Sequence, residues 1–448
     1  MINNKLLSLL ALCSLRASAS VTVRKTGEGP TGYEVDFKYV NTTANRVLIG
    51  GGLQPFTDQF HTTLEERAWY DPHDYQPGDF YVAFGSPPDG YEWPYEMTSD
   101  GDGVWTYTTP LPSGIYSYAY LIDCDFAPAC NIETGQLVID SDLPPFLNVQ
   151  GDQVASSFQV PFDACFQGTD DINADFDYAL PAPDKYRGTI KSVNYTSPGS
   201  IHPAPDVHHF GLYLPAEYGT IEGKTYPLLY LSHGAGGNGN DWENLGRMSY
   251  IMDNLIAEGH IEPTVVVMPS FYNLDDSLPK FIYGGPIDFS ALPSSDHIRE
   301  NYQQYLFPWV EENIANVCTE PACRAFAGLS WGGRLTYEMY VNATDSFDYY
   351  GMFSPATDTP TLSNETLAAN PALADKGLFV AYGLYDSVFE NGRELQAALS
   401  ALEIPFVTRI TPFGGHYWNT WQDELWWFGV KALWKPKPFT ARTGRASS

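Results

Sequence analysis

The second half of the chain alternates between short apolar runs and longer segments with one apolar face. Short apolar runs bounded by glycine, proline or polar residues predict buried strands, and the spacing between them is typical of amphipathic helices. The predicted strands are 210–214, 228–232, 264–268, 325–329, 378–382 and 406–410. The predicted helices are 242–257, 302–316, 334–340, 390–402 and 420–433. Residues 186–436 are therefore predicted to form a three-layer αβα domain with a mostly parallel sheet.

Residues 20–155 have a different pattern, with short alternating runs and frequent turns rich in Tyr, Gly, Pro, Asp and Thr. This alternation predicts an all-β sandwich. Acidic residues and two prolines mark 156–185 as a linker and domain entry. The Pro- and Ser-containing segment 437–448 is predicted to be a disordered tail.

The most informative motif is Gly328-Leu-Ser330-Trp-Gly332, which follows an apolar run and precedes a helical segment. A strand that turns tightly on a serine and continues as a helix is the layout of a nucleophile elbow. The turn holds the serine oxygen outward, so the positions two residues away on either side need almost no side chain. The pattern predicts Ser330 as a catalytic nucleophile.

Two further polar residues follow predicted strands in the same way. Asp386 comes after 378–382, and His416 comes after 406–410. The carboxyl ends of parallel strands meet at one edge of a sheet, where ligands bind. We therefore predict His416 as the general base and Asp386 as the acid that orients it. Glu390 lies close to Asp386 in the sequence and remains the alternative acid.

Acyl transfer also needs two N–H donors for the oxyanion. The N–H of Trp331, directly after the nucleophile, is the first candidate. The glycine-rich segment that follows the strand 228–232 supplies the second from Ala235, with Gly236 as the alternative. His233, at the start of that segment, is predicted to brace the loop rather than to act as a second base. The other histidines are predicted to lie at the surface or in loops.

The strongly acidic composition excludes some classes of binding partner. The net charge of −30 argues against nucleic acid and anionic membranes. Residues 1–19 combine Lys5, a short apolar stretch and a small-residue cleavage site, which is typical of a signal peptide. No other segment approaches the length of a membrane span. The expected location is extracellular.

Cysteine spacing gives two candidate local disulfides, Cys124 with Cys130 and Cys318 with Cys323, and leaves Cys165 over. The spacing does not fit a zinc site. Four sequons, at Asn41, Asn194, Asn342 and Asn364, are compatible with a glycosylated secreted protein. No metal and no organic cofactor is expected.

Segments 233–242, 328–333 and 415–421 resemble the putative-esterase group of α/β-hydrolases. This group includes carbohydrate esterase family one, with its feruloyl and acetylxylan esterases, and the resemblance covers roughly residues 185–435. It implies an α/β-hydrolase fold and matches Ser330, Asp386 and His416 to the family's catalytic triad. One departure is visible: a methionine often follows the serine in that family, and here the residue is Trp331.

The N-terminal region resembles early-set immunoglobulin-like modules related to carbohydrate-binding module family forty-eight, chiefly over residues 102–145. The resemblance implies glycan binding by this region. Trp69, Tyr70, Trp93 and Tyr95 are candidates for stacking on sugar rings, or else pack within the sandwich. Because every predicted catalytic group lies after residue 230, residues 20–155 are expected to be dispensable for small esters.

The expected function is hydrolysis of polysaccharide-linked or small esters of the plant cell wall. Trp418 and Trp421 follow His416, and Tyr272 follows a strand that ends at the same edge of the sheet, so these residues are predicted to line the substrate pocket with Trp331. Because aromatic walls favour flat rings, hydroxycinnamoyl esters are expected to be better substrates than acetyl esters. Alternatively, Trp418 and Trp421 pack the helix 420–433 against the sheet. An acetylxylan or other short-acyl esterase, an acyltransferase and a non-catalytic carbohydrate-binding protein remain alternative functions.

Overall fold

The computed structural model describes residues 18–50, 53, 56–57, 71–77, 79–81, 95–123, 136–140, 143, 145–147, 153–166, 176–197, 207–273, 294–358, 360–412 and 414–437. The predicted signal peptide lies outside these residues, apart from Ser18 and Ala19, which begin the first strand. The predicted tail 437–448 lies outside them beyond residue 437. Both assignments stay predictions.

The N-terminal region contains two larger antiparallel sheets and one short strand pair. The first sheet has the order β1 (Ser18–Lys25), β2 (Tyr33–Val40), β8 (Val104–Thr109) and β7 (Thr98–Ser99). The second has the order β11 (Pro145–Leu147), β12 (Gln153–Val160), β9 (Gly114–Ile122), β3 (Val47–Gly50) and β6 (Tyr95–Glu96), with β10 (Gln136–Val138) paired to β9. β4 (Phe56–Thr57) pairs with β5 (Phe80–Tyr81).

The two larger sheets share an aromatic core. Alternate residues of β2 point inward, as the period of the sequence pattern requires. Tyr95 is only 3% exposed and stacks on Tyr107 in this core, so it does not offer a sugar-binding face. Trp69, Tyr70 and Trp93 lie outside the described residues. β12 continues to Val160, beyond the predicted boundary at 155, and the immunoglobulin-like assignment stays a prediction.

The C-terminal domain is built on an eight-stranded sheet. Its strands, in spatial order, are β13 (Thr189–Thr196), β14 (Val207–Leu214), β16 (Val265–Asn273), β15 (Leu228–Ser232), β17 (Arg324–Leu329), β18 (Tyr349–Phe353), β19 (Gly377–Gly383) and β20 (Val407–Thr411). The pairings of β13 with β14 and of β14 with β16 are antiparallel, and the rest are parallel. The predicted mostly parallel sheet is confirmed.

Helices cover both faces of this sheet. α1 (Asp241–Asn244), α2 (Met248–Ala257) and α8 (Trp418–Lys431) pack on one face. α3 (Ser295–Asn301), a π-helical turn (Tyr302–Leu306), α4 (Phe307–Asn313), α5 (Trp331–Asn342) and α7 (Phe389–Ala401) pack on the other. α6 (Asn364–Ala369) is a short helix without buried residues. Among the described helices, none combines the length and apolar character needed to cross a bilayer.

The predicted helix 242–257 is interrupted, which corrects the sequence pattern. At Gly246 a Cβ atom would lie 2.4 Å from the carbonyl oxygen of Trp242, so only glycine fits there. Arg247 follows with a left-handed φ of 46°. The chain turns sharply at these two residues, and α1 and α2 form separate helices.

Candidate active site

Ser330 lies between β17 and α5 in a strained backbone conformation, with φ 52° and ψ −115°. Non-glycine residues rarely adopt this region, and they are held there only by surrounding structure. Its N–H donates to the carbonyl of Phe353 at 2.9 Å, and its own carbonyl accepts from the N–H groups of Arg334 and Ala356. These bonds fix the strained turn, so the side chain projects from the end of the strand.

The two glycines of the motif are required by close backbone contacts. A Cβ atom on Gly328 would lie 2.7 Å from the backbone of Gly332. A Cβ atom on Gly332 would lie 2.4 Å from the carbonyl oxygen of His233, at the start of the glycine-rich loop. The glycines therefore let the elbow close on itself and let this loop approach it.

The structure brings Ser330, His416 and Asp386 into one hydrogen-bonded chain. His416 Nε2 lies 2.9 Å from Ser330 Oγ, and His416 Nδ1 lies 2.7 Å from Asp386 Oδ1. Because a carboxylate only accepts, Nδ1 carries the proton and Nε2 is free to accept one from the serine. All three residues follow the carboxyl ends of strands, as the sequence indicates.

Asp386 is 3% exposed, and burial alone would oppose its ionisation. Four interactions together outweigh burial and lower the pKa of Asp386. They are the electrostatic attraction of His416, its hydrogen bond to the carboxylate, and hydrogen bonds from the Ser354 hydroxyl and the N–H of Val388. The carboxylate therefore stays charged beside the imidazole. Glu390, the alternative acid, instead forms an exposed ion pair with Arg393 on α7.

The glycine-rich loop lies directly against the nucleophile. A Cβ atom on Gly234 would be 3.1 Å from Ser330 Cβ, and Gly236 has a positive φ of 73°. Ala235 is partly exposed between these glycines. The first N–H groups of α5, which include that of Trp331, have no partner within the helix. Both predicted oxyanion donors thus belong to segments beside Ser330, and their role stays a prediction.

Buried polar groups hold this loop in place. His233 Nδ1 donates to the carbonyl of Gly234 at 2.6 Å, and burial lowers the pKa of His233 to about 3. The imidazole is therefore neutral and only weakly basic, which suits a brace better than a general base. Asp241 accepts from the backbone and side-chain N–H groups of Asn238, both at 2.9 Å. Trp242 Nε1 donates to the carbonyl of Ser232 at 2.9 Å.

Residues 205–436 match the family described as "Putative esterase". The chain belongs to this family. An endo-1,4-beta-xylanase/feruloyl esterase of Xylanibacter ruminicola is 30% identical over 272 residues, which are 59% of this chain and 32% of that protein. Endo-1,4-beta-xylanase Y of Acetivibrio thermocellus is 24% identical over 273 residues, 56% of this chain and 23% of that protein. The chain thus spans a third or less of the length of these relatives.

Solved structures show the same fold at low identity. The enterobactin esterase FES from Shigella flexneri has a TM-score of 0.51 at 16% identity and covers 92% of this chain and 96% of its own. Enterochelin esterase from Shigella flexneri has a TM-score of 0.52 at 15% identity, with 93% and 95% covered. The similarity shows the α/β fold of this esterase-family member and extends into its N-terminal sheets.

The predicted pocket aromatics occupy different places. Trp421 is 6% exposed and packs its ring edge-on against the His416 imidazole, with ring centroids 5.0 Å apart. Trp418 packs between Trp421 and Trp242. Trp421 is buried in the core of the domain and Trp418 packs half-buried against it, which favours the alternative that these indoles pack α8 against the sheet. Their assignment to the pocket wall stays a prediction. Tyr272 belongs to β16, but its side chain lies outside the described part of the chain, so its role stays a prediction.

Trp331 keeps a place beside the nucleophile. Its ring is half-buried, and the Arg334 guanidinium lies 4.6 Å from the ring centroid. His208 and His209, predicted as loop residues, instead lie on β14 and are 1% and 0% exposed. Burial lowers the pKa of His209 to about 4. The predicted strand began at residue 210, after these two histidines, so the sequence pattern left them in a loop, whereas β14 begins at Val207.

Sequence reasoning also missed a buried acid behind the site. Glu424, on α8, is 0% exposed, and Ser354 Oγ lies 3.2 Å from Glu424 Oε1. Burial, and then the charges of Asp386 and Asp423, raise the pKa of Glu424 well above its usual value. The neighbouring Arg409 is already bound by Asp423 at 2.9 Å. Burial therefore favours the neutral, protonated form of Glu424 beside the charged Asp386.

Glu424→Gln is expected to gain stability relative to the wild type as the pH rises. The pKa of Glu424 is lower in the unfolded chain than in the folded protein. As the pH rises from the lower pKa to the higher one, ionisation of Glu424 therefore favours unfolding. A neutral amide removes this contribution, worth about 1.4 kcal/mol for each unit of pKa difference. Melting temperatures of both proteins at about pH 4 and about pH 8 measure it. If the difference in melting temperature between the two proteins is the same at both pH values, the pKa of Glu424 is not raised by the fold.

The cysteines agree with the sequence where the structure describes them. Cys318 and Cys323 form a disulfide, and Cys165 is free and exposed. Cys124 and Cys130 lie outside the described residues. Within the described ranges, no group of three or more His, Cys, Asp or Glu side chains is arranged to hold a metal ion.

Proposed function

We propose that the protein is a secreted serine carboxylesterase that cleaves plant cell-wall esters, with feruloyl-type esters preferred. The observation that carries the proposal is the hydrogen-bonded chain from Asp386 through His416 to Ser330 at the strained elbow. Membership of the esterase family supports ester chemistry. The relative from Xylanibacter ruminicola, whose name includes feruloyl esterase, supports the substrate class.

In the first half-reaction, Ser330 Oγ attacks the acyl carbonyl carbon while His416 Nε2 takes the serine proton. Asp386 holds the imidazole in the tautomer with the proton on Nδ1. The N–H groups of Trp331 and Ala235 stabilise the oxyanion of the tetrahedral intermediate. The bond from carbon to the alcohol oxygen then breaks, and His416 gives its proton to that oxygen. An acyl-enzyme and a free alcohol result.

In the second half-reaction, water replaces the alcohol. His416 takes a proton from the water as its oxygen attacks the acyl carbon. The bond from carbon to Ser330 Oγ then breaks, and the proton returns to the serine. The products are a carboxylic acid and the regenerated enzyme. If an alcohol acceptor competed with water at this step, the protein would be an acyltransferase, which product analysis with added acceptor detects.

The preference for a flat acyl group rests on Trp331. Its indole follows the nucleophile directly in the chain, so we propose that it contacts the acyl group. Contacts between aromatic rings contribute about 0.5–1.5 kcal/mol beyond burial, or roughly a few-fold to tenfold in selectivity. An acetyl group offers no ring for such a contact. The sequence pattern of residues 1–19 supports secretion, and so does the Cys318–Cys323 disulfide, because disulfides persist in oxidising compartments.

A substrate comparison tests the proposal. Values of kcat/KM are measured for methyl ferulate, acetylated xylan and 4-nitrophenyl acetate, with fluorophosphonate labelling of Ser330 as an independent measure of the nucleophile. Methyl ferulate is expected to be the best substrate. A preference for acetylated xylan would favour the acetylxylan esterase alternative. No turnover of any ester, together with no labelling, would indicate a non-catalytic carbohydrate-binding protein.

A further inference from the structure

We propose that the N-terminal sheets position the catalytic groups through two particular contacts. One contact holds α1, which binds the glycine-rich loop that carries Ala235 (the oxyanion loop), and the other holds the start of α8, next to His416. The proposal rests on the proposed esterase function. It differs from a role in glycan binding, since its effect would appear on small soluble substrates as well as on polysaccharide.

The first contact joins β11 to α1. The side-chain amide of Asn244 makes two hydrogen bonds to Leu147: Oδ1 accepts from its N–H at 3.0 Å, and Nδ2 donates to its carbonyl at 2.8 Å. Asn244 is 1% exposed, so both bonds are shielded from water. α1 also carries Asp241 and Trp242, which hold the glycine-rich loop. One end of this short helix thus binds the N-terminal sheet and the other binds the oxyanion loop.

The second contact joins the start of β9 to the start of α8. Asn419 Nδ2 donates to the carbonyl of Ser113 at 3.0 Å. A Cβ atom on Gly114 would lie 3.4 Å from Asn419 Oδ1, so the Asn419 side chain lies directly beside the start of β9. Asn419 follows His416 by three residues. The N-terminal sheet therefore fixes the chain immediately after the predicted general base.

A row of aromatic rings connects this interface to the imidazole. Phe146, Ala155 and Leu245 form an apolar cluster between the two domains, and Trp418 packs against it. Trp418 lies edge-on to Trp421, with ring centroids 5.1 Å apart, and Trp421 lies edge-on to His416. Because protein cores are close-packed, a shift of the N-terminal sheet would be transmitted along these rings.

α1 and α8 are also tied to each other. Gln422 Nε2 donates to the carbonyl of Gly246 at 3.1 Å, at the turn between α1 and α2. The oxyanion loop, the histidine segment and the N-terminal sheet thus form one packed unit. A displacement of about 1 Å in such a unit is enough to lower a catalytic rate by about 100-fold. The expectation that residues 20–155 are dispensable for small esters does not fit these contacts.

A third contact of the same interface supplies the control. Arg247 Nη2 donates to Ser157 Oγ at 2.8 Å, and both residues are buried. S157A removes this bond and keeps the bonds of Asn244 to Leu147 and of Asn419 to Ser113, so it weakens the docking of the two domains at a different point of the interface.

The test compares N244A and N419A with S157A in the full chain. For each we measure kcat and KM on 4-nitrophenyl acetate, the rate of inactivation by a fluorophosphonate, and the melting temperature. N244A and N419A are expected to lower both kcat and the inactivation rate by about tenfold or more, with KM within about twofold. S157A is expected to lower the melting temperature and to leave kcat within about twofold.

The proposal is overturned if N244A and N419A keep wild-type kcat well below their melting temperatures, or if S157A lowers kcat as much as they do. Should N244A fail to fold, N419A carries the test, because Asn419 is only half-buried. Failure of the esterase function itself would appear separately, as a wild-type protein that neither turns over esters nor reacts with the fluorophosphonate.

Discussion

Ser330→Ala is expected to lower ester turnover by about 10⁴-fold or more while the fold stays intact. The substitution removes only the oxygen that attacks the substrate. The strained turn around it is held by backbone hydrogen bonds to Phe353, Arg334 and Ala356, which an alanine keeps. Alanine is also smaller than serine, so it introduces no clash with Gly234, which approaches the Ser330 Cβ atom.

The measurements are kcat/KM on 4-nitrophenyl acetate, labelling by a fluorophosphonate, and the melting temperature. Ser363→Ala is the matched control, because Ser363 caps α6 through the N–H of Thr366 and lies outside the predicted triad. The control should lose about 1 kcal/mol of stability and keep full activity. If Ser330→Ala retained more than a few per cent of activity, another residue would have to be the nucleophile.

The sequence placed the three predicted triad residues at one edge of the sheet because its signals are local, and the structure brings them together there. The serine between two glycines is informative because a predicted strand precedes it and a predicted helix follows it, and the backbone contacts of Gly328 and Gly332 account for both glycines. Asp386 and His416 were placed by the ends of predicted strands, and parallel strands bring such ends to one edge of the sheet. The disulfide between Cys318 and Cys323 was equally local.

The missed features depend on tertiary packing. β18 has only five residues with a glycine at its centre, and edge strand β13 has mostly exposed or half-exposed side chains, so neither gave a clear periodic signal. Glu424 lies on an amphipathic helix, where an acid is normally exposed. Trp418 and Trp421 follow His416 in sequence, but α8 turns them into the core. No local pattern could show that a distant sheet docks against them.

Asp386→Asn is expected to lower kcat by roughly 10⁴-fold, with little loss of binding. The carboxylate accepts a hydrogen bond from His416 Nδ1 at 2.7 Å. An asparagine that turned its NH₂ group toward the ring would favour the tautomer with the proton on Nε2, which cannot accept the serine proton. It would also leave the imidazolium formed during attack without its counter-charge, inside a site where Asp386 is 3% exposed.

Glu390→Gln is the matched control, because it makes the same change in the other acid near the end of β19. Glu390 pairs with Arg393 on an exposed surface and should change activity by less than about twofold. Since the pKa of Asp386 is lowered, loss of wild-type activity in acid is not expected to follow protonation of Asp386. Rates of both variants measured from about pH 4 to about pH 8 decide the assignment. A larger loss in Glu390→Gln than in Asp386→Asn would move the orienting role to Glu390 and contradict the geometry of the site.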